Sequence, residues 1–218
     1  MSKVDKAFEK LPFADELANW KHLPAGSSEP DTELESELAF FLNDWVDQPD
    51  KVTAQKLKSY ESIFQAAKSE FPKVFMPPVG DSAFRGMSFP YKKVVAWVKK
   101  SYKENSLKLV PKYRFKYYTS PNYFSYVGNK PVQSWTTDFE VAETFSANNV
   151  SNELIHIILE TTIDDSFIFN PIFMNKIYTD VIGDDSYENE VICFKKQMKV
   201  KIYVQDASLK KIINNKFN

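Results

Sequence analysis

Apolar residues recur with different spacings on the two sides of Pro77-Pro78, and that change restricts the fold more than any other feature of the chain. Before it, Leu34, Leu38, Phe41, Leu42 and Trp45 fall at helical spacing, and Leu57, Tyr60, Ile63, Phe64 and Ala67 repeat the pattern. Gly26 to Asp31 is a turn-rich lead-in, and Pro49-Asp50 separates the two helices. Pro72 and then Pro77-Pro78 end the helical half. Beyond Pro78 the text changes to short β-prone runs: Ala83 to Arg85, Tyr113 to Tyr118, Tyr123 to Val127, Leu154 to Leu159, Phe167 to Phe169, Glu190 to Phe194 and Met198 to Val204. Helices at Tyr91 to Tyr102 and Asp138 to Phe145 interrupt them. Strands after an N-terminal helical region predict an α+β fold, with residues 1–78 helical and residues 79–218 strand-bearing in one compact domain.

The composition sets outer limits. With 218 residues, 43% of them apolar, the chain can bury a substantial core, so global disorder is not expected. A net charge of -1 argues against a large electrostatic footprint for nucleic acid or an anionic membrane. Cys193 is the single cysteine, which excludes an intrachain disulfide and a zinc–thiolate cage. No basic segment followed by an apolar one opens the chain, and no run reaches the roughly 18 apolar residues of a membrane span, so a cytoplasmic protein is expected.

Three groups of residues have chemical potential. Phe84-Arg85-Gly86 places a guanidinium in a short apolar strand, beside a glycine whose bare backbone admits a ligand. Most Arg-Gly pairs are surface turns. Ser134-Trp135-Thr136 alternates two hydroxyls on one strand face with an indole on the other, and those hydroxyls can hold neighbouring Arg and Glu side chains. Thr137 and Glu140 read as a capping box for the helix that follows. Glu188-Asn189-Glu190 enters an apolar run after a long polar loop, Met174 to Tyr187. In an extended strand Glu188 and Glu190 share a face, where they can tune each other's protonation. Surface strands often carry Glu-x-Glu, so each group alone is common. Their joint occurrence in this order is not.

Over residues 80 to 205 the chain resembles the mono-ADP-ribosyltransferases of the Arg, Ser-Thr-Ser, Glu-x-Glu class, which includes binary toxins, vertebrate ecto-enzymes and T-even-phage transferases. The resemblance rests on Phe84-Arg85-Gly86, on Ser134-Trp135-Thr136 with Ala142 and Phe145 of the next helix, and on Glu188 and Glu190. It departs from the class where Trp135 replaces Thr and Thr136 replaces Ser. The resemblance implies an ADP-ribosyltransferase-like β-sandwich core of mixed sheets, with residues 79–218 as the catalytic core. It also implies that NAD is consumed as a co-substrate without a metal, and that the partners are proteins with an accessible arginine.

The same resemblance implies site roles. Arg85 supports the NAD phosphate or ribose, the Gly86 backbone meets the nicotinamide amide, and Phe145 packs on its ring. Ser134 orients Glu190, and the Thr136 hydroxyl keeps the third position of the motif polar. Glu190 faces the ribose where positive charge develops as the nicotinamide bond breaks, and Glu188 orients the acceptor guanidinium. NAD glycohydrolysis, transfer to a non-arginine or nucleic-acid acceptor, and an inactive binding module of the same fold are the alternatives. A compact chain in which no signal peptide or translocation domain is visible places a phage enzyme acting on host proteins first and a bacterial toxin-type effector second, and a composition low in glycine and rich in Asn and Lys suits an AT-rich genome. His156 reads as a satisfied sheet histidine. Lys92, Lys93, Lys99, Lys100 and Lys103 read as the wet face of a helix, and Trp20, Trp45 and Trp97 as packing residues.

Overall fold

A computed structural model describes residues 68–69, 72–110, 115–128, 133–147, 154–171, 174–175 and 188–214. The helices expected before residue 68, Trp20, Trp45 and most of the polar loop before Tyr187 lie outside the described residues. In chain order the elements are α1 (Pro72–Phe75), β1 (Ser82–Pro90), α2 (Tyr91–Lys103), β2 (Lys108–Val110), β3 (Tyr117–Thr119), β4 (Phe124–Val127) and β5 (Gln133–Thr136). Then follow α3 (Phe139–Ala147), β6 (Leu154–Thr162), β7 (Phe167–Ile168), β8 (Glu190–Cys193), β9 (Gln197–Gln205) and α4 (Asp206–Asn214). The architecture of the described residues is α+β, the expected class. The pairings β1–β5, β1–β6, β2–β3, β3–β9, β4–β9, β6–β9 and β7–β8 are antiparallel, so the sheet is mostly antiparallel.

The chain divides into two compact units, and neither is a simple N- or C-terminal half. One comprises Met1–Gly80, Gly128–Ser134 and Ile163–Lys196; the other comprises Asp81–Val127, Trp135–Thr162 and Gln197–Asn218. A cut between residues 78 and 79 therefore does not separate the units.

In the second unit the strands run in the order β2-β3-β9-β6-β1-β5, with β4 also paired to β9. Strand β1 pairs with β6 along its whole length, from Ser82↔Thr162 to Pro90↔Leu154, and with β5 at Phe84↔Thr136. The middle of β6 is Ile157-Ile158-Leu159, all buried, and such a run suits a strand covered on both faces. Helix α2 buries Val94, Trp97, Val98 and Ser101, the i, i+3, i+4, i+7 stripe of an amphipathic helix. Of its lysines, Lys92, Lys93, Lys100 and Lys103 are exposed and Lys99 is half-buried. Trp97 is a packing residue, and its Nε1–H donates to the Asn122 carbonyl at 3.0 Å. The helix stops where Asn105 takes a positive φ of 48°, a conformation asparagine tolerates.

Helix α3 lies over β1. The Asp138 carboxylate caps it, accepting the Glu140 N–H at 2.8 Å, while the Thr136 Oγ1 accepts the Asp138 N–H at 3.0 Å. The N-cap is thus Asp138, in place of the expected Thr137, because the helix begins one residue later at Phe139. Phe139 sits among Phe84, Tyr117 and Tyr203, with ring centroids 5.3, 5.4 and 5.3 Å away in edge-to-face geometry.

The first unit buries Phe75, Ile163, Phe167, Ile168, Phe169, Met174, Val191, Ile192 and Cys193. Strand β7 pairs with β8 at Phe167↔Cys193 and Ile168↔Ile192. Pro72 opens α1 where a helix end was expected: at the first helical position its missing N–H costs nothing. Strand β2 and helix α4 were not anticipated from sequence, since their apolar signals are short; α4 buries only Leu209 and Ile212. Among the described residues no helix is long and apolar enough to cross a membrane.

Candidate functional site

The predicted site residues fall into two groups, one in each unit. In the first unit are Ser134, Glu188 and Glu190; in the second are Arg85, Gly86, Thr136 and Phe145.

Glu190 is the first residue of β8 and only 2% exposed, followed by buried Val191, Ile192 and Cys193. A carboxylate so deeply placed at a strand end is uncommon unless its surroundings hold it. Ser134 is exposed on β5, the neighbour of β8 in the strand order. Beside it on β5, Gln133 donates from Nε2 to the Lys195 carbonyl at 2.7 Å. That bond ties β5 to the segment just beyond β8.

Glu188 is half-buried and lies before the strand begins. Asn189, between the two glutamates, has φ of 48°, in the left-handed region. The expectation that both carboxylates share a face by strand alternation therefore does not hold. Alternation requires extended backbone at the intervening residue, and a left-handed residue turns the chain instead. For an asparagine this conformation costs about 1 kcal/mol, which local hydrogen bonds must offset. They do so here. The Asn189 N–H donates to Asn175 Oδ1 at 2.8 Å, and Asn175 Nδ2 donates to Asn189 Oδ1 at 2.7 Å. Sequence reasoning missed this pair; the available signal was that asparagine is the type most at ease at positive φ.

In the second unit, cross-strand partners share a face, so Thr136 lies on the same side of the sheet as Phe84 and Arg85 on the opposite side. The Thr136 hydroxyl oxygen is engaged in the entry to α3. Gly86 has a structural requirement of its own: a Cβ there would fall 1.6 Å from the Ala142 carbonyl oxygen of α3. The bare backbone expected to admit a ligand is needed to seat the helix. Phe145, on the same helix, is 42% exposed. An aromatic ring left so open is available for stacking.

Other polar groups have structural explanations. His156 Nδ1 contacts the Ser146 carbonyl, which requires the hydrogen on that nitrogen, and the Ser88 hydroxyl is 3.3 Å from it. The sheet histidine is satisfied, as expected. Buried Glu143 accepts the Tyr117 hydroxyl at 2.8 Å, and burial together with that bond raises the phenol far above its ordinary range. Glu160 accepts from Ser82 at 2.7 Å, Tyr203 at 2.5 Å and Lys201 at 3.4 Å. Among the described residues no group of three or more His, Cys, Asp or Glu side chains is placed to hold a metal ion. Compared with protein families, curated proteins and solved structures, the chain matches none.

Proposed function

We propose that this chain is a mono-ADP-ribosyltransferase that cleaves NAD at the nicotinamide–ribose bond and passes ADP-ribose to arginine of a target protein. The observation that carries the reading is the Glu188-Asn189-Glu190 turn: a buried carboxylate at a strand end, one left-handed residue from a half-buried second carboxylate. Two carboxylates in unlike environments suit two unlike tasks. Glu190, shielded from water, stabilises the oxocarbenium-like ribose most strongly, because charge attracts charge more in a low dielectric. Glu188, nearer to solvent, engages the guanidinium of the acceptor, a cation whose planar fork matches a carboxylate. Ser134 on the adjacent strand holds Glu190 in orientation. The sequence resemblance assigns Arg85 to the phosphate end of NAD, the Gly86 main chain to the nicotinamide amide and Phe145 to its ring.

The test is Glu190→Gln, which keeps the shape and removes the charge. Transfer of labelled ADP-ribose should fall by about 100-fold or more while the folded chain persists. Transfer near the wild-type rate would sink the assignment. Release of free ADP-ribose by the wild type with no modified arginine in a lysate, read by mass spectrometry, would make the chain a glycohydrolase instead.

A further inference from the structure

The angle between the two carboxylates is set by Asn189, and Asn189 is held from a distance. Its partner Asn175 directly follows the turn closed by the Met174 N–H and the Asn170 carbonyl at 3.0 Å, with Met174 fully buried. Asn175 therefore stands on a fixed base. Its amide orientation is also fixed, because a backbone N–H accepts nothing and must face Oδ1. Nδ2 is then turned to Asn189 Oδ1, so one side chain grips both the main chain and the side chain of the residue between the glutamates. Strand β8 holds Glu190 from the other side through its pairing with β7. The direction of Glu188 relative to Glu190 follows the torsion at Asn189, which Asn175 grips.

We infer that Asn175 is a positioning residue for Glu188, governing how well the acceptor is engaged and hence the partition between transfer and hydrolysis. This rests on the transferase reading above. Asn175 touches neither substrate; it acts through Asn189.

The experiment uses the full chain with NAD, measuring nicotinamide release without acceptor and ADP-ribose transfer to agmatine, a small guanidine. Asn175→Ala is expected to lower transfer about 10- to 100-fold, with a raised KM for agmatine, while nicotinamide release stays near the wild-type rate. Asn175→Asp keeps an oxygen for the Asn189 N–H, and the Asn189 amide can turn over to donate to the second oxygen. It should recover most of the transfer. Unchanged transfer in Asn175→Ala, or equal loss of both activities, would overturn the inference. A wild-type chain that releases no nicotinamide would overturn the transferase reading and with it the role in transfer. The grip itself is then judged by amide hydrogen exchange: Asn189 protected in the wild type and unprotected in Asn175→Ala supports it, and an Asn189 unprotected in both refutes it.

Discussion

Residues that look chemically similar in the sequence have very different circumstances in the fold. Glu143 and Glu160 are carboxylates held by tyrosine, serine and lysine partners. Glu190 opens a buried strand beside a left-handed turn. Cys193, at the other end of that strand, is buried, and burial pushes its thiol from 9.0 up to about 11, against the smaller opposing pull of the Lys195 N–H and the Ser166 hydroxyl. A thiol whose folded value lies above its unfolded one stabilises the fold below the unfolded value and loses that contribution as the pH climbs. Stability should therefore fall as the pH rises from 9.0 toward 11, and Cys193→Ala should flatten part of that fall in pH-dependent melts. In the native chain at neutral pH the thiol should resist alkylation by iodoacetamide until the chain unfolds. Rapid native-state labelling would refute its burial.

At the scale of elements, the closest fit in the second unit is α3 against β1. Gly86 admits the Ala142 carbonyl where any side chain would collide with backbone, which cannot swing aside as a flexible side chain does. Gly86→Ala should cost about 1–3 kcal/mol or more, read as a lowered denaturant midpoint. A midpoint equal to wild type would mean that the helix is not seated as described. The pairing Phe84↔Thr136 is the other element-level result, since it gives Arg85 and Thr136 opposite faces. The strands themselves were readable from their β-branched and aromatic runs. Their neighbours were not, because pairing joins segments far apart in the chain, and short elements such as β2 and α4 carry too few apolar residues to announce themselves.

Across the whole molecule, the two units are assembled from interleaved segments, so no terminal truncation isolates either. In the first unit the Phe75 carbonyl accepts the Phe169 N–H at 3.0 Å and the two rings lie 5.5 Å apart. Lys68 Nζ donates to the Asp165 carbonyl at 2.8 Å. Phe169 itself has φ of 71°, a strained value for a bulky residue that its surroundings must hold. A fragment of residues 79–218 loses Phe75, a change of about 3–5 kcal/mol by loss of a buried ring alone, out of a typical total near 5–15 kcal/mol. By circular dichroism that fragment should lack the cooperative thermal transition expected of the full chain. A sharp transition in the fragment near the full-length midpoint would show that residues 79–218 fold without the N-terminal region.

What the sequence determined by itself is what depends on near neighbours. The period of apolar residues set helix or strand, the amphipathic stripe of α2 set its wet and dry faces, and one cysteine ruled out an intrachain disulfide. It also offered Arg85, Ser134, Glu188 and Glu190 as candidate site residues. Only the tertiary structure decided how those residues are presented. Gly86 is glycine because of a carbonyl on α3, and Asn189 turns left-handed because Asn175 supplies both bonds from 14 positions away. Such bonds repay the cost of a strained torsion only after folding has brought the partners together, so no local pattern records them.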